Sequence, residues 1–162
     1  MDSDKAHYIS VTAIIIRDGK FLIAKRSLDE KAFPGLWTVP GGKIEINDYK
    51  KLPMDTGSHW YNIFENALRR EVREETGIEI ENIRYLTSLA FFRPEGIPTI
   101  VVSMFADYAG GDIGLNGELI DFAWVTLEEA GDYEFIEGIF EELEMLDKYL
   151  KTGAAAVWKK KD

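Results

Sequence analysis

Three glutamates at helical spacing carry the strongest chemical signal in the sequence. Glu71, Glu74 and Glu75 occupy positions i, i+3 and i+4 of the run 70–78. On an α-helix these positions share one face, with Cβ atoms about 5–6 Å apart, so that like charges repel. A hard divalent cation such as Mg²⁺ takes oxygen ligands and bridges them to substrate phosphates. The spacing therefore indicates a metal site, and a solvated acidic helix face is the alternative.

Glycines lie on both sides of these glutamates. Gly77 follows the last of them after one residue and can end the helix in a left-handed conformation. Upstream, the run Pro40-Gly41-Gly42-Lys43 is predicted to form a tight turn between two short strands. Glycine lets the backbone approach a ligand closely. The turn and the helix together favour the metal site over the solvated face.

These two segments resemble the signature of the Nudix hydrolase family. The family pattern is Gly, five residues, Glu, seven residues, and then Arg-Glu-apolar-any-Glu-Glu-any-Gly-apolar. Residues 70–78 meet every defined position of the second half, and residues 34–43 are similar to the Gly-Leu-Trp and Pro-Gly-Gly-Lys run of its MutT-like members. The resemblance extends from about Ile9 to Leu143. It implies the α/β class, with a mixed β-sheet between helices in an α/β/α sandwich.

The first half of the signature departs from the family spacing. Arg70 lies twenty-eight residues after the second glycine of the turn, where the pattern has fourteen, so about fourteen extra residues lie within Ile46–Tyr61. Counting back from Arg70 puts Asn62 at the position of the first glutamate. Either Asp48 or Asp55 in the insertion substitutes for that carboxylate, or the carboxylate is absent.

The resemblance implies roles for individual residues. Arg70 would pair with the carboxylates of the signature and orient them, with a surface ion pair as the alternative. Glu118 follows a glycine-rich loop and would bind metal or act as the general base, with an ordinary exposed glutamate as the alternative. The predicted catalytic residues are Arg70, Glu74 and Glu118, and the predicted metal ligands are Glu71, Glu74, Glu75 and the carbonyl of Gly41.

Cationic and aromatic residues near the same elements are the predicted substrate contacts. Arg26, at the end of the second strand, and Lys43, after the turn, are candidates for phosphate contacts, and a solvated charge is the alternative for each. Trp37 and Phe92 are candidates for stacking on a base, although core packing is the commoner role of an aromatic side chain. Pro94 lies near a position linked to ADP-ribose-cleaving relatives, but a turn explains it more simply.

The implied activity is a Mg²⁺-dependent pyrophosphohydrolase, with Mn²⁺ as a substitute, acting on a nucleoside diphosphate linked to another group. We expect a nucleoside triphosphate, cleaved to monophosphate and pyrophosphate. ADP-ribose or a nucleotide-sugar is the alternative substrate. A catalytically silent nucleotide-binding module is the alternative class, and Asn62 is the feature in its favour.

The composition indicates which partners the protein binds and where in the cell it is expected to act. The chain has 162 residues and a net charge of −10, which argues against a nucleic acid polymer because cationic contacts dominate such binding. The absence of cysteine fits a reducing cytosol, so a cytoplasmic location is expected. The longest strongly apolar run, Val11–Ile16, is too short to span a bilayer. A small-molecule nucleotide is the expected partner, and a homodimer is left open.

Periodicity and turn residues predict the elements that position these groups. The predicted strands are 8–16, 20–25, 37–39, 43–46, 83–92, 99–106 and 119–125, and the predicted main helices are 60–76, with Ser58 as N-cap, and 136–150. A single domain is expected over residues 1–151, followed by a flexible tail at 152–162. The insertion, at about 46–61, is predicted to be a mobile loop beside the substrate pocket, with Trp60 anchored in the core.

Overall fold

The computed structural model describes residues 5–155 and 157–160. Within these residues the chain forms seven strands and four helices. The strands are β1 (Tyr8–Arg17), β2 (Lys20–Arg26), β3 (Trp37–Thr38), β4 (Gly41–Lys43), β5 (Glu79–Phe92), β6 (Pro98–Gly110) and β7 (Leu119–Val125). The helices are α1 (Asn47–Lys50), α2 (Ile63–Thr76), α3 (Leu127–Ala130) and α4 (Ile139–Thr152).

All the strands belong to one mixed sheet. Its main order is β3-β2-β1-β6-β5, with β4 paired to β1 and β7 paired to β2. Strand β1 runs parallel to β6 from Tyr8↔Thr99 to Ile16↔Asp107, and antiparallel to β2 and β4. A central strand covered on both faces is apolar almost throughout, which explains the Ile- and Val-rich sequence of β1.

Two helices cover opposite faces of this sheet. Alternate residues of a strand point to opposite faces, so Val11, Ala13 and Ile15 pack beneath α2 whereas Ile14 packs beneath α4. The helix α2 contributes Ala67, Leu68 and Val72 to the first core cluster, and α4 contributes Ile139, Leu143 and Leu146 to the second. This arrangement confirms the predicted α/β/α sandwich.

Several element boundaries differ from those predicted. The helix α2 begins at Ile63, after Asn62 in the left-handed conformation with φ 55°, so Ser58 is not its N-cap. Its C-terminal end is as predicted: Gly77, with φ 74°, donates its N–H to the Arg73 carbonyl. Part of the expected loop, Asn47–Lys50, is the short helix α1. The strand expected at 43–46 instead ends at Lys43, and β5 begins at Glu79 rather than at residue 83.

Residues of the insertion make hydrogen bonds and a ring contact with one another. The Trp60 indole N–H donates to the Leu52 carbonyl at 3.0 Å, and its ring packs against Tyr49 with 5.5 Å between centroids. The Tyr61 N–H donates to an Asp55 oxygen at 2.9 Å. Trp60 is half-exposed and lies outside both core clusters, so the prediction that it anchors in the core is wrong. Its indole N–H needs a partner and finds one within the insertion.

The last helix ends close to the expected domain boundary. Helix α4 continues to Thr152, one residue beyond the boundary, and Gly153 ends it with φ 68°. Residues 153–155 and 157–160 have no regular structure, and the remaining tail residues, like residues 1–4, lie outside the described part of the chain. None of the described helices has the length and apolar character needed to cross a bilayer.

Glu142 is an acidic residue on the core-facing side of α4. Its side chain lies beneath the helix with 3% exposure. Burial raises its pKa to about 7; the Glu141 charge adds to the rise and a hydrogen bond from Ser103 of β6 opposes it. Below about pH 4.5 the group is neutral in both states. As the pH rises towards 7 the unfolded chain ionises first, so the free energy of unfolding falls.

The substitution Glu142→Gln is expected to raise the free energy of unfolding by about 3 kcal/mol at pH 8 and to have little effect near pH 4. The difference follows from the pKa shift at about 1.36 kcal/mol per unit. Urea unfolding of both proteins between pH 4 and pH 8 measures it. Glu128→Gln, an exposed glutamate of α3, is the control. Equal pH dependence of the wild type and Glu142→Gln would contradict the burial cost.

Candidate active site

Gly41 and Gly42 were predicted to form a tight turn, but they lie in strand β4, after a bend at Pro40. This pair of glycines, for which we keep the name Gly-Gly turn, lies directly against the acidic face of α2. The Gly41 N–H donates to Glu75 Oε2 at 2.9 Å. A Cβ atom built on Gly42 would overlap the Glu71 carboxylate, and one built on Gly41 would overlap the backbone of β1 at Val11. Glycine is therefore required at position 41, where a side chain would meet backbone atoms, whereas a side chain at position 42 would displace the Glu71 carboxylate.

Glu75 is a buried carboxyl group in an acidic environment. It is 5% exposed, and its pKa is raised to about 8, chiefly by burial and further by the charges of Glu71 and Glu118. The Gly41 N–H and the positive charge of Arg26 oppose this rise. Glu118 and Arg26, which are distant from Glu75 in the sequence, thus both lie within electrostatic range of it.

Arg70 connects the other carboxylates of the helix. Its Nη1 donates to Glu71 at 2.9 Å and to Glu74 at 3.1 Å, and its Nη2 donates to the Lys43 carbonyl at 3.2 Å. Arg70 therefore neutralises part of the repulsion that led us to expect a cation on this face. Burial nonetheless raises the pKa of Glu71 against the opposing charge of Arg70.

Asp48 of helix α1 is the strongest partner of Arg70. It accepts hydrogen bonds from Nε and, at 3.0 Å, from Nη2. Burial opposes ionisation of Asp48, but the hydrogen bonds from Arg70 and the Glu45 N–H outweigh burial and lower its pKa. The same pair raises the pKa of Arg70. This planar two-point contact is the most directional ion pair that an arginine makes.

The position of Asp48 clarifies the interrupted signature. Counting forward from Gly42, five residues separate it from Asp48, which is the family spacing for the first glutamate. Counting back from Arg70 gave Asn62, because the extra residues follow Asp48. The forward count was the signal that identifies Asp48, and the two-point contact with Arg70 supports it.

The glycine-rich loop brings Glu118 to the other side of the turn. The Gly114 N–H donates to the Thr76 carbonyl at 2.9 Å, which holds the loop against the end of α2. The Ser27 N–H donates to the Glu118 carbonyl at 2.8 Å, and the Glu118 N–H donates to Asn116 at 3.0 Å. Glu118 thus follows a loop held at both ends and lies beside the end of β2.

The two predicted phosphate contacts have different surroundings. Arg26 is half-buried, and its guanidinium donates to Glu30 at 2.9 Å and to the Ala32 carbonyl at 2.8 Å, so it is positioned beside the carboxylates before any substrate binds. Lys43 is exposed, with Nζ 5.3 Å from the centroid of the Tyr8 ring. The substrate contacts expected of Arg26 and Lys43 stay predictions.

The two predicted stacking residues lie apart from each other. Trp37 is half-buried and packs edge-on against Tyr133, with 4.7 Å between centroids, at the margin of the second core cluster. Phe92 is 76% exposed at the end of β5. Trp37 therefore serves packing at least in part, and Phe92 has a free face. A stacking role stays a prediction for both.

The site offers oxygen donors, as a hard cation requires. Glu71 and Glu75 present partly or fully buried carboxylates beside the Gly-Gly turn, and Glu118 adds a third charge nearby. Across the described residues, no three His, Cys, Asp or Glu side chains are gathered closely enough to form a ready-made metal cage. The donor chemistry fits Mg²⁺, which usually keeps several waters and needs few protein ligands.

The comparisons with known proteins agree with this geometry. The family model described as NUDIX domain matches residues 6–146. The chain is 33% identical over 135 residues to the nucleoside triphosphatase NudI of Salmonella agona, covering 76% of this chain and 85% of the relative.

Solved structures show the same fold. The MutT protein from Methanosarcina mazei Go1 is 27% identical with a TM-score of 0.68, covering 92% of this chain and 99% of the other. The E. coli ORF135 protein is 28% identical with a TM-score of 0.68, covering 95% and 97%. The chain therefore belongs to the Nudix family as one of its MutT-like members, hydrolases that act on pyrophosphate bonds.

Proposed function

We propose that this Nudix hydrolase uses Mg²⁺, with Mn²⁺ as a substitute, to convert a nucleoside triphosphate and water into a nucleoside monophosphate and pyrophosphate. The observation that carries the metal site is Glu75, a buried carboxyl whose nearest charges include those of Glu71 and Glu118. A buried carboxylate requires compensation, and one arginine, Arg26, opposes two acidic neighbours there. The triphosphate is favoured because the relatives at 30–33% identity are named nucleoside triphosphatases.

Each residue has a defined task in this proposal. Glu71, Glu74 and Glu75, with the Gly41 carbonyl, hold the metal, which when bound neutralises the phosphates and lowers the pKa of its water. Arg26 contacts the phosphate chain, because its guanidinium is already fixed beside Glu75 by Glu30. These groups are positioned before substrate binds, so little reorganisation is needed during the reaction.

Two further residues act on the reacting water and on the ligands. Glu118 holds that water or accepts its proton, since its charge is close enough to raise the pKa of Glu75. Arg70 holds Glu71 and Glu74 in place through a single nitrogen.

We place the reaction in the cytoplasm, because the chain has no cysteine and is expected to act on a small nucleotide.

A substrate screen tests the proposal. Nucleoside triphosphates, ADP-ribose, dinucleoside polyphosphates and nucleotide-sugars are incubated with Mg²⁺ or Mn²⁺, and products are identified by chromatography. We expect monophosphate and pyrophosphate from a triphosphate, and none after chelation. Faster cleavage of ADP-ribose would overturn the substrate. Nucleotide binding without turnover on any substrate would instead favour the silent module.

Glu118→Gln is expected to lower kcat by about tenfold or more and to change KM little. A residue that contacts water or metal chiefly in the transition state has this signature. Steady-state kinetics with the best substrate of the screen measure it, and Glu128→Gln, an exposed glutamate of α3, is the matched control. A wild-type kcat in Glu118→Gln would leave Glu118 as an ordinary loop residue.

A further inference from the structure

Two adjoining cavities lie between the insertion and the outer side of α2. The first, of about 270 Å³, is lined by residues that include Trp60 and Tyr61 of the insertion. The second, of about 330 Å³, is lined mainly by residues of α1 and α2, among them three arginines. Leu52 and Asn66 line both cavities, so the two form one continuous groove, which we call the outer groove. Together their volumes fall within the range of small-molecule sites, about 300–1,000 Å³.

The second cavity is positively charged, although the chain as a whole has a net charge of −10. Arg69, Arg70 and Arg73 line it from one stripe of α2, where residues three and four positions apart are neighbours. Asp48 is the acidic residue in the same lining, and its charge is already paired with Arg70. The charges that remain in this cavity are therefore those of Arg69 and Arg73.

These two guanidinium groups are available to an anion. Arg69 is half-buried and donates to the Ile80 carbonyl, but it forms no ion pair within the described part of the chain. Arg73 pairs with Glu79 at 2.7 Å, but both side chains are exposed, and water screens such a pair. A doubly charged phosphate can therefore compete with Glu79 for Arg73. The planar fork of N–H donors on an arginine matches the oxygens of a phosphate group.

The first cavity has the chemistry of a subsite for an aromatic base. Tyr61 is 58% exposed there, and the Trp60 ring lies beside it in the lining. Asn62 and Asn66 also line this cavity, and neither amide side chain makes a hydrogen bond within the described residues. An amide offers both a donor and an acceptor, which is the combination that pairs with the edge of a base. Asp55, the acidic residue of this lining, already accepts the Tyr61 N–H.

We propose that the outer groove is a second binding site, for a nucleoside monophosphate whose phosphate binds Arg69 and Arg73 and whose base stacks on Tyr61. The two arginines lie one and two turns beyond Asn66, about 4.5 and 10.5 Å along the helix axis, a span that such a ligand bridges. Neither cavity is lined by a predicted metal ligand, so binding requires no metal. The inference does not depend on the proposed reaction.

Calorimetric titration in the presence of EDTA tests the site with AMP, inorganic phosphate and adenosine as probes. We expect AMP to bind the wild type more tightly than either part of it. In the double variant Arg69→Gln and Arg73→Gln, Kd for AMP and for phosphate should rise about tenfold or more. In Tyr61→Ala, Kd for AMP should rise about fivefold or more, because a stacking contact is lost, while Kd for phosphate stays the same. Arg84→Gln, another exposed arginine with a carboxylate partner, is the matched control.

Arg26→Gln separates this site from the active site, since it should still bind AMP under chelation. Loss of AMP binding in Arg26→Gln but not in the double variant, or no AMP binding by the wild type, would overturn the second site. Equal Kd values for AMP and phosphate, unchanged in Tyr61→Ala, would overturn the nucleotide as its ligand. Arg73→Gln alone, at an exposed position, replaces the double variant if circular dichroism shows that the latter does not fold. Failure of the hydrolysis screen would overturn the proposed reaction and leave this site standing.

Discussion

Glu75→Gln is expected to lower turnover by about 10²–10⁴-fold, equivalent to about 3–5 kcal/mol of transition-state stabilisation. The amide keeps the volume of the side chain and can still accept the Gly41 N–H, but it loses the charge that binds a cation. Single-turnover kinetics at saturating Mg²⁺ measure the loss, and circular dichroism checks that the fold is kept. Thermal stability without metal should stay equal or rise, because the cost of burying an ionisable carboxyl group is removed.

Glu74→Gln is the informative companion to this variant. Glu74 is exposed and shares one nitrogen of Arg70 with Glu71, so we expect a strong loss that is nonetheless smaller than for Glu75→Gln. Glu65→Gln, in the first turn of the same helix, controls for a general effect of helix charge. Wild-type activity in both Glu74→Gln and Glu75→Gln would overturn the metal site.

The sequence was sufficient to predict the elements and the acidic helix face, and the resemblance to the Nudix family implied the sandwich. The elements follow from local patterns such as the apolar run of β1 and the period of α4, and the acidic face follows from the spacing of the glutamates in the run 70–78. The position of Glu118 beside Glu75 depends instead on the path of the glycine-rich loop. That path is fixed by the contact between Gly114 and Thr76, which no local pattern encodes.

The repulsion argument for the metal was only partly right. Arg70 lies between Glu71 and Glu74, so an internal cation relieves much of the charge that the spacing alone made costly. Glu75 is turned away towards Gly41 and takes no bond from Arg70 among those the structure shows. The direction in which each side chain leaves the helix decides which carboxylate pairs with Arg70 and which one faces Gly41. The spacing of the glutamates in the sequence does not give that direction.

The insertion shows most clearly what composition leaves undetermined. Its Gly, Pro and Asp content predicted a mobile loop; residues 51–62 have no helix or strand, and mobility stays a prediction. The hydrogen bonds that Trp60 and Tyr61 make within the insertion do not follow from that content. The insertion also covers the outer side of α2, where a cavity of about 330 Å³ is lined by residues that include Asp48, Leu52 and Arg70. The insertion thus contacts the site through the ion pair between Asp48 and Arg70. Its effect on substrate selectivity stays a prediction.

Asp48→Asn is expected to lower kcat by about 10²-fold with little change in KM. The side chain of Asp48 is 3% exposed, so the variant leaves Arg70 without its strongest partner and free to shift. Because Arg70 also holds Glu71 and Glu74, a shift displaces the ligands, and a misplacement near 1 Å can cost about 10²-fold. Steady-state kinetics and the metal concentration required for half-maximal rate measure the effect.

Asp48→Glu and a shortened insertion separate this positioning role from a structural one. Glutamate is the family residue at this place in the signature, so Asp48→Glu should recover most of kcat, whereas a fold defect would persist.

Replacing residues 51–58 by a brief linker keeps Asp48 and α2. If that protein loses its substrate ranking but keeps kcat, the insertion contributes selectivity and Asp48 contributes alignment. If Asp48→Asn keeps the wild-type kcat, the pair with Arg70 is structural only, and alignment of the ligands is independent of the insertion.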